Sequence, residues 1–416
     1  MNKKKIFVWA LYDFANSIVM IAFFLYFSQW LVIDRGISDF WFNLTLTAAS
    51  LLFLLVGPVL GSIADKTNNK IKGIRITTIT VTILYLITGS IATFFPNYDI
   101  LAAIFFTLST AVYLLSFTYY NAFLKDLAPP KKRGAVSGWG LFGNYLGQIA
   151  AILIALPFVT GAIHLWGAAG RAQAFIPATI IFFLLSLPLL FTFKDAAPDK
   201  IIPANFAAEY RNIWSSFKNL CRNSYIGRFF LAYFFFNDAV LTAANNFPIY
   251  MERVFGADDT FKSYVMLGIL ITSAIGSLLS GWVADRIGHK KTLMIILGGW
   301  IVIFPLLAFT SSLTILVVIT VIMGLWFGSA WTVTRAMVID FAPDHQVGQS
   351  LSYFTLMERF ATLVGPLTWG LIVVYAPQTH SFNYRGAAFA MVLFIIIGLL
   401  IAQKLPGKSL SESKGL

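Results

Sequence analysis

The chain has 416 residues, of which 58% are hydrophobic and only 12% charged, and its mean hydropathy is +0.78. Such a balance excludes a water-soluble globular domain, where charged residues are roughly twice as frequent. The formal net charge of +12 raises the question of a nucleic-acid partner, which the placement of the cations answers below.

A hydrocarbon core about 30 Å thick takes about 20 consecutive apolar residues to cross as a helix. Twelve runs of that kind follow one another, at roughly 6–33, 40–64, 74–95, 99–125, 134–160, 172–193, 225–252, 261–285, 290–311, 313–341, 347–374 and 384–404. The first is too long for a signal-peptide core and has no small-residue cleavage site, so it is read as a span. It carries Tyr12, Asp13 and Asn16, with Asp13 about two helical turns in. The second ends in a polar hinge, GSIADKTNNKIKGIR (Gly61–Arg75). Tyr119 and Tyr120 close the fourth run, and Asn144 and Gln148 lie inside the fifth. Between those two runs, Asp126-Leu-Ala-Pro129 reads as a helix end stopped by proline and followed by a new start.

Residues 194–224 are the one long polar interruption, with Pro198 and Pro203, and they divide six runs from six. The expected organisation is an N-terminal bundle over 1–193, a linker over 194–224, a C-terminal bundle over 225–404 and a tail over 405–416. Apolar spacing near Trp214–Leu220 predicts a short amphipathic helix lying at the membrane surface.

The second half repeats the first. Phe236-Asn237-Asp238 echoes Tyr12-Asp13, and Asn245 and Asn246 follow in the same run. GWVADRIGHKK (Gly281–Lys291) answers the earlier hinge: Gly281 and Asp285 match Gly61 and Asp65, and Arg286 matches Lys66. A small residue there suggests close packing of two helices, with the following cations in the headgroup region. Asp340-Phe-Ala-Pro343 repeats Asp126-Leu-Ala-Pro129. The tenth run also holds Trp331 and Arg335, and the eleventh has Glu358 and Arg359 at its middle.

Placing the loops alternately on two sides puts Lys3–Lys5, Lys66, Lys70, Lys72, Arg75, Lys125 and Lys131–Arg133 together with the linker, second-hinge and tail cations. Only Arg35, Arg171, Arg253, Lys262 and Arg385 fall opposite. That asymmetry follows the positive-inside rule, predicts cytoplasmic termini and leaves no need for a nucleic-acid partner. The single cysteine, Cys221, forms no intrachain disulfide and suggests no metal cluster. No P-loop, no His-Glu-x-x-His and no nucleophile-base arrangement occurs, so neither an enzyme, a cofactor nor nucleotide-driven work is expected.

The paired hinges resemble the signature loop of the major facilitator superfamily. LYDFANS (Leu11–Ser17), YYNAFLKDLAPPKKRGAVSGWG (Tyr119–Gly140), LAYFFFNDAVLT (Leu231–Thr242) and VGPLTWG (Val364–Gly370) resemble one branch of it, the vacuole-effluxer-like family, which includes an autophagy-linked amino-acid effluxer. The resemblance implies an all-α integral membrane protein of twelve helices in two pseudo-symmetric bundles, working by alternating access. It also implies that Gly61, Asp65, Gly281, Asp285 and Arg286 serve gating.

Ionisable residues inside spans are functional candidates by default. Asp13, Asp238 and Glu358 are the expected proton-coupling groups, with static packing pairs as the competing reading. Tyr12, Asn16, Tyr119, Tyr120, Asn144, Gln148, Asn245, Asn246, Trp331 and Arg335 are the expected substrate contacts. The leading expectation is proton-linked carriage of amino acids or similar small polar metabolites, by a monomer in a lipid bilayer. Efflux or flipping of amphipathic compounds or lipids is the alternative, and a transport-inactive sensor the remote one. Short loops favour a bacterial inner membrane over an organelle.

Overall fold

The computed structural model describes residues 3–67, 69–127, 133–167, 169–194, 206–222, 224–342 and 347–406, without the side chains at 64–67, 125, 133–135, 137, 138, 224, 347–349 and 380. The described residues contain twelve helices long and apolar enough to cross a membrane. The first span is α1 (Lys3–Ile21), continued by π-helical stretches Ala22–Phe27 and Trp30–Asp34. Then come α2 (Asp39–Thr67), α3 (Lys70–Phe94), α4 (Asp99–Ala122), the single turn α5 (Leu124–Leu127), α6 (Arg133–Val159) and α7 (Phe175–Thr192). The linker holds α8 (Phe206–Arg222). The remaining spans are α9 (Ser224–Phe255), α10 (Asp259–Ile287), α11 (His289–Phe309), α12 (Leu313–Phe341), a split pair α13 (Val347–Phe360) and α14 (Val364–Tyr375), and α15 (Phe382–Gln403).

The chain divides into two compact units, residues 1–37 with 48–213 and residues 38–47 with 214–416. The first turns of α2 thus group with the second unit.

Apolar contact drives no helix association in lipid, so small residues and polar bonds decide where helices cross. In the first unit α6 lies on α1 through Gly143 and Gly147: a Cβ there would sit 2.7 Å from the Ala10 carbonyl and 2.4 Å from that of Phe14. In the second unit α10 and α12 close on each other through Gly276, Gly324 and Gly328. A Cβ at Gly276 would meet the Leu325 carbonyl at 2.1 Å, and one at Gly328 the Ser273 carbonyl at 1.9 Å. Ser277 and Ser329 then donate across the crossing to the Gly328 and Gly276 carbonyls, each at 3.0 Å. Gly281 differs from its expectation. A Cβ there would meet nothing within 4 Å, because the close approach occurs one and more turns earlier along α10.

The eleventh span is broken. Pro366 lacks an N–H for the Thr362 carbonyl and restricts Gly365 before it, so α13 stops at Phe360 and a new helix starts at Val364. In α8, Phe206, Tyr210 and Trp214 recur every four residues and are exposed. Its Glu209 is buried and accepts from Ser62 at 2.8 Å. Cys221, half-buried near the end of α8, has its thiol pushed up by burial, which keeps it protonated and inert.

Candidate functional site

Each unit carries its own polar centre. In the first, α1 presents Tyr12, Asp13 and Asn16 on one buried face. The Asp13 carboxylate accepts from the Asn144 side chain of α6 at 3.0 Å, and the Asn144 oxygen accepts from Gln148 at 2.6 Å. This is a three-residue chain from a buried acid to an amide one turn along α6. Gly143 and Gly147 make it possible, since they bring the α6 backbone close to α1. Asn16 is fully buried, and neither of its amide atoms has a hydrogen-bond partner. Buried polar groups are rarely left so, and such an amide calls for a partner such as water or a bound molecule.

Of the tyrosines expected beside it, Tyr12 and Tyr119 are committed to the protein, while the buried Tyr120 hydroxyl has no hydrogen-bond partner. Tyr12 shares a 2.7 Å hydrogen bond with Thr78. Tyr120 stacks on Trp9 at 4.5 Å, and Trp9 donates to the Tyr120 carbonyl at 3.1 Å. The Tyr119 ring packs on Gly73, where a Cβ would come within 2.2 Å of it.

In the second unit Asp238 is fully buried on α9. Its Oδ2 accepts from the Gly365 backbone at 2.7 Å, in the first turn of α14. The first N–H groups of a helix have no partner of their own, and a carboxylate there is favoured by the helix dipole. Asp238 therefore caps the restarted half of the eleventh span. Glu358 pairs with its neighbour Arg359 at 3.3 Å rather than with Arg335. Adjacent side chains on a helix diverge by about 100°, an angle that two side chains of this length can span. Arg335 is exposed, yet its charge, with those of Glu358 and Arg359, reaches the buried Tyr233. Asn246 forms a reciprocal amide pair with Asn43, at 2.9 and 3.0 Å, while Asn245 is half-buried. Trp331 packs on Phe327 at 4.5 Å.

The hinges prove to be docked rather than loose. In the second, Gly288 adopts φ 90°, a left-handed turn that only glycine takes easily, and it joins α10 to α11. His289 meets Asp340 at the end of α12 at 2.6 Å, and Lys290 donates to the Gln403 carbonyl at 2.8 Å and to that of Leu405, at the end of α15. Lys290 thus satisfies carbonyls at a helix C-terminus, which lack partners of their own. Asp285 is exposed, and Arg286 lies 3.6 Å over the Trp282 ring.

The first unit repeats the arrangement with different residues. Lys70 reaches Asp126 at 2.9 Å, and Arg75 donates to the Leu190 carbonyl at 2.6 and 2.9 Å, at the end of α7. The Asp-x-Ala-Pro repeat thus acquires a meaning. Its acid receives the cation that opens the third helix of each half. Gly61, whose Cβ would come within 2.7 Å of Thr118, permits a close crossing. The Asp65 side chain lies outside the described residues.

Several of these partners carried no separate signal in the sequence. Asn43, Thr78 and Trp9 read as ordinary members of apolar runs, and His289 as part of the cationic end of a hinge. Only Asn43, a buried amide one turn inside a span, offered a hint.

The sequence matches the Major Facilitator Superfamily over residues 2–152 and 229–415. It is 23% identical to the uncharacterized MFS-type transporter YxiO of Bacillus subtilis, over 97% of this chain and 95% of that one. It is 28% identical to a putative proline/betaine transporter of Staphylococcus haemolyticus, over 89% and 80% of the two chains. A crystal structure of a mutant of the nucleoside transporter NupG superposes with a TM-score of 0.77 at 12% identity, covering 96% of this chain and 99% of that one.

Proposed function

The chain belongs to the Major Facilitator Superfamily, and from that premise we propose that this membrane transporter is proton-linked and carries amino acids or similar small polar metabolites. The observation that carries the reading is the Asp13–Asn144–Gln148 chain beside the orphaned Asn16. An acid held by a neutral amide, with no cation bonded to it, can take up or release a proton while the amide turns from donor to acceptor. Asp238 is held by a backbone N–H instead and is better placed for a fixed role. Glu358, beside Arg359, is the second coupling candidate.

Substrate contacts fall to the polar groups that the fold leaves available: Asn16 and Gln148 in the first unit, Asn245, Trp331 and Arg335 in the second. The similarity to a putative proline/betaine transporter supports a small polar substrate. The vacuole-effluxer-like motifs support amino acids more narrowly. On this reading 1–193 and 225–404 are the two moving bundles, the termini are cytoplasmic and the membrane is a bacterial inner membrane. Asp65 and Asp285 latch the cytoplasmic side, and replacing either by Ala slows transport while the protein still folds. Unchanged rates in both variants would remove the latch.

The test is uptake and counterflow of labelled amino acids in proteoliposomes with an imposed pH gradient. Asp13→Asn is expected to abolish gradient-driven uptake and keep counterflow. Uptake indifferent both to the gradient and to Asp13→Asn would refute proton linkage through this acid.

A further inference from the structure

A second polar site lies away from these centres, within the second unit. The loops that open α2, close α9 and precede α15 surround a cavity of about 440 Å3, lined by Ser38, Asp39, Arg253, Gln378, Asn383 and Tyr384 among others. Ligand sites in proteins fall in this range, about 300–1,000 Å3. Asp39 is only 4% exposed. Its Oδ2 accepts from the buried Tyr384 hydroxyl at 2.7 Å, but its Oδ1 has no hydrogen-bond partner. An ionised oxygen buried without a donor is costly, so the cavity is short of one N–H. Arg253 is exposed at the cavity wall, and its charge acts on both Asp39 and Tyr384.

Two polar residues of the wall are bonded elsewhere: Asn383 donates to the Val373 carbonyl at 3.0 Å, and Ser381 gives its hydroxyl proton to the Arg253 carbonyl at 3.0 Å. Ser381 itself is held at φ 57°, the only non-glycine in the left-handed region among the described residues. Strain of this kind persists only where the surroundings enforce it.

We propose that this cavity binds a small zwitterion bearing an N–H-donating ammonium, an α-amino acid, with its ammonium on Asp39 Oδ1 and its carboxylate toward Arg253. The charge pattern selects the class. One acid and one base leave a neutral pair, so a lone cation or a lone anion satisfies one wall residue and faces the like charge of the other. A quaternary ammonium has no N–H and leaves Oδ1 unmet. The site is distinct from the one proposed for transport, and it does not require that site to carry amino acids.

The experiment is calorimetric titration of the full chain in nanodiscs, in an Asn16→Ala/Arg335→Gln background that removes a proposed substrate contact of the transport reading from each unit. The probes are L-alanine, glycine betaine, propionate and ethylamine. L-alanine is expected to bind, the other three at least about tenfold more weakly, a difference of about 1.4 kcal/mol. Asp39→Asn and Arg253→Gln should each cost L-alanine a similar factor. Arg253 is exposed, so its variant stays informative if Asp39→Asn folds poorly. No binding of L-alanine, binding that ignores both variants, or equal binding of betaine would overturn the proposal. Binding to the wild type that vanishes in the Asn16→Ala/Arg335→Gln background would also overturn it, while leaving the transport reading intact.

Discussion

Asp13 and Asp238 occupy comparable depths in the first and seventh spans, and the two units treat them differently. Asp13 faces a side-chain amide on α6, a group that can rotate and change from donor to acceptor. Asp238 faces a backbone N–H at the start of α14, a group that cannot. The acid in the first unit is held by something movable, and that in the second is part of a helix end. The same contrast runs through the hinges. Lys70 makes a permanent cation for Asp126, whereas His289 meets Asp340 with a ring that is charged only when protonated. Internal repetition has preserved positions and distributed distinct tasks among them.

This contrast can be broken at its strongest point first. Asp238→Ala removes a buried acceptor from the α14 start, and should lower stability by about 1–3 kcal/mol, seen as a clear fall in the melting temperature. Asp13→Ala should cost visibly less, and equal losses would erase the distinction between an acid that caps a helix and one held by a side-chain amide. Next, Gly147→Ala and Gly328→Ala push a methyl into backbone carbonyls, and each should destabilise by about 1–3 kcal/mol. If Gly147→Ala is tolerated, the α1–α6 contact that aligns Asp13 with Asn144 is looser than its geometry indicates.

Asn144→Ala is smaller in stability and larger in function. Side-chain hydrogen bonds between membrane helices average about 0.6 kcal/mol and reach about 1.7, so melting should shift little while gradient-driven uptake falls. A large melting shift with normal uptake would make the amide a packing group. Smallest of all, Gly281→Ala meets open space and should stabilise by about 0.5 kcal/mol through the unfolded chain. Destabilisation there would restore the close crossing that the hinge pattern suggested.

The length and order of the apolar runs fixed twelve spans, because a bilayer accepts few other solutions. Repeated motifs fixed the two halves, and the rarity of charge in apolar runs singled out Asp13, Asp238, Arg335, Glu358 and Arg359. Helical periodicity sets how deep a residue lies and which way it points. It does not say what stands across from it. The partners came only from tertiary structure: Asn43 meets Asn246 from 203 residues away, and Asp39 meets Tyr384 from 345. The break before Gly365 decided that Asp238 caps a helix, and the glycines of α6 decided that Asp13 meets an amide. Such pairings depend on the register between helices, and that register is set by small residues and close backbones whose neighbours one chain read in order does not reveal.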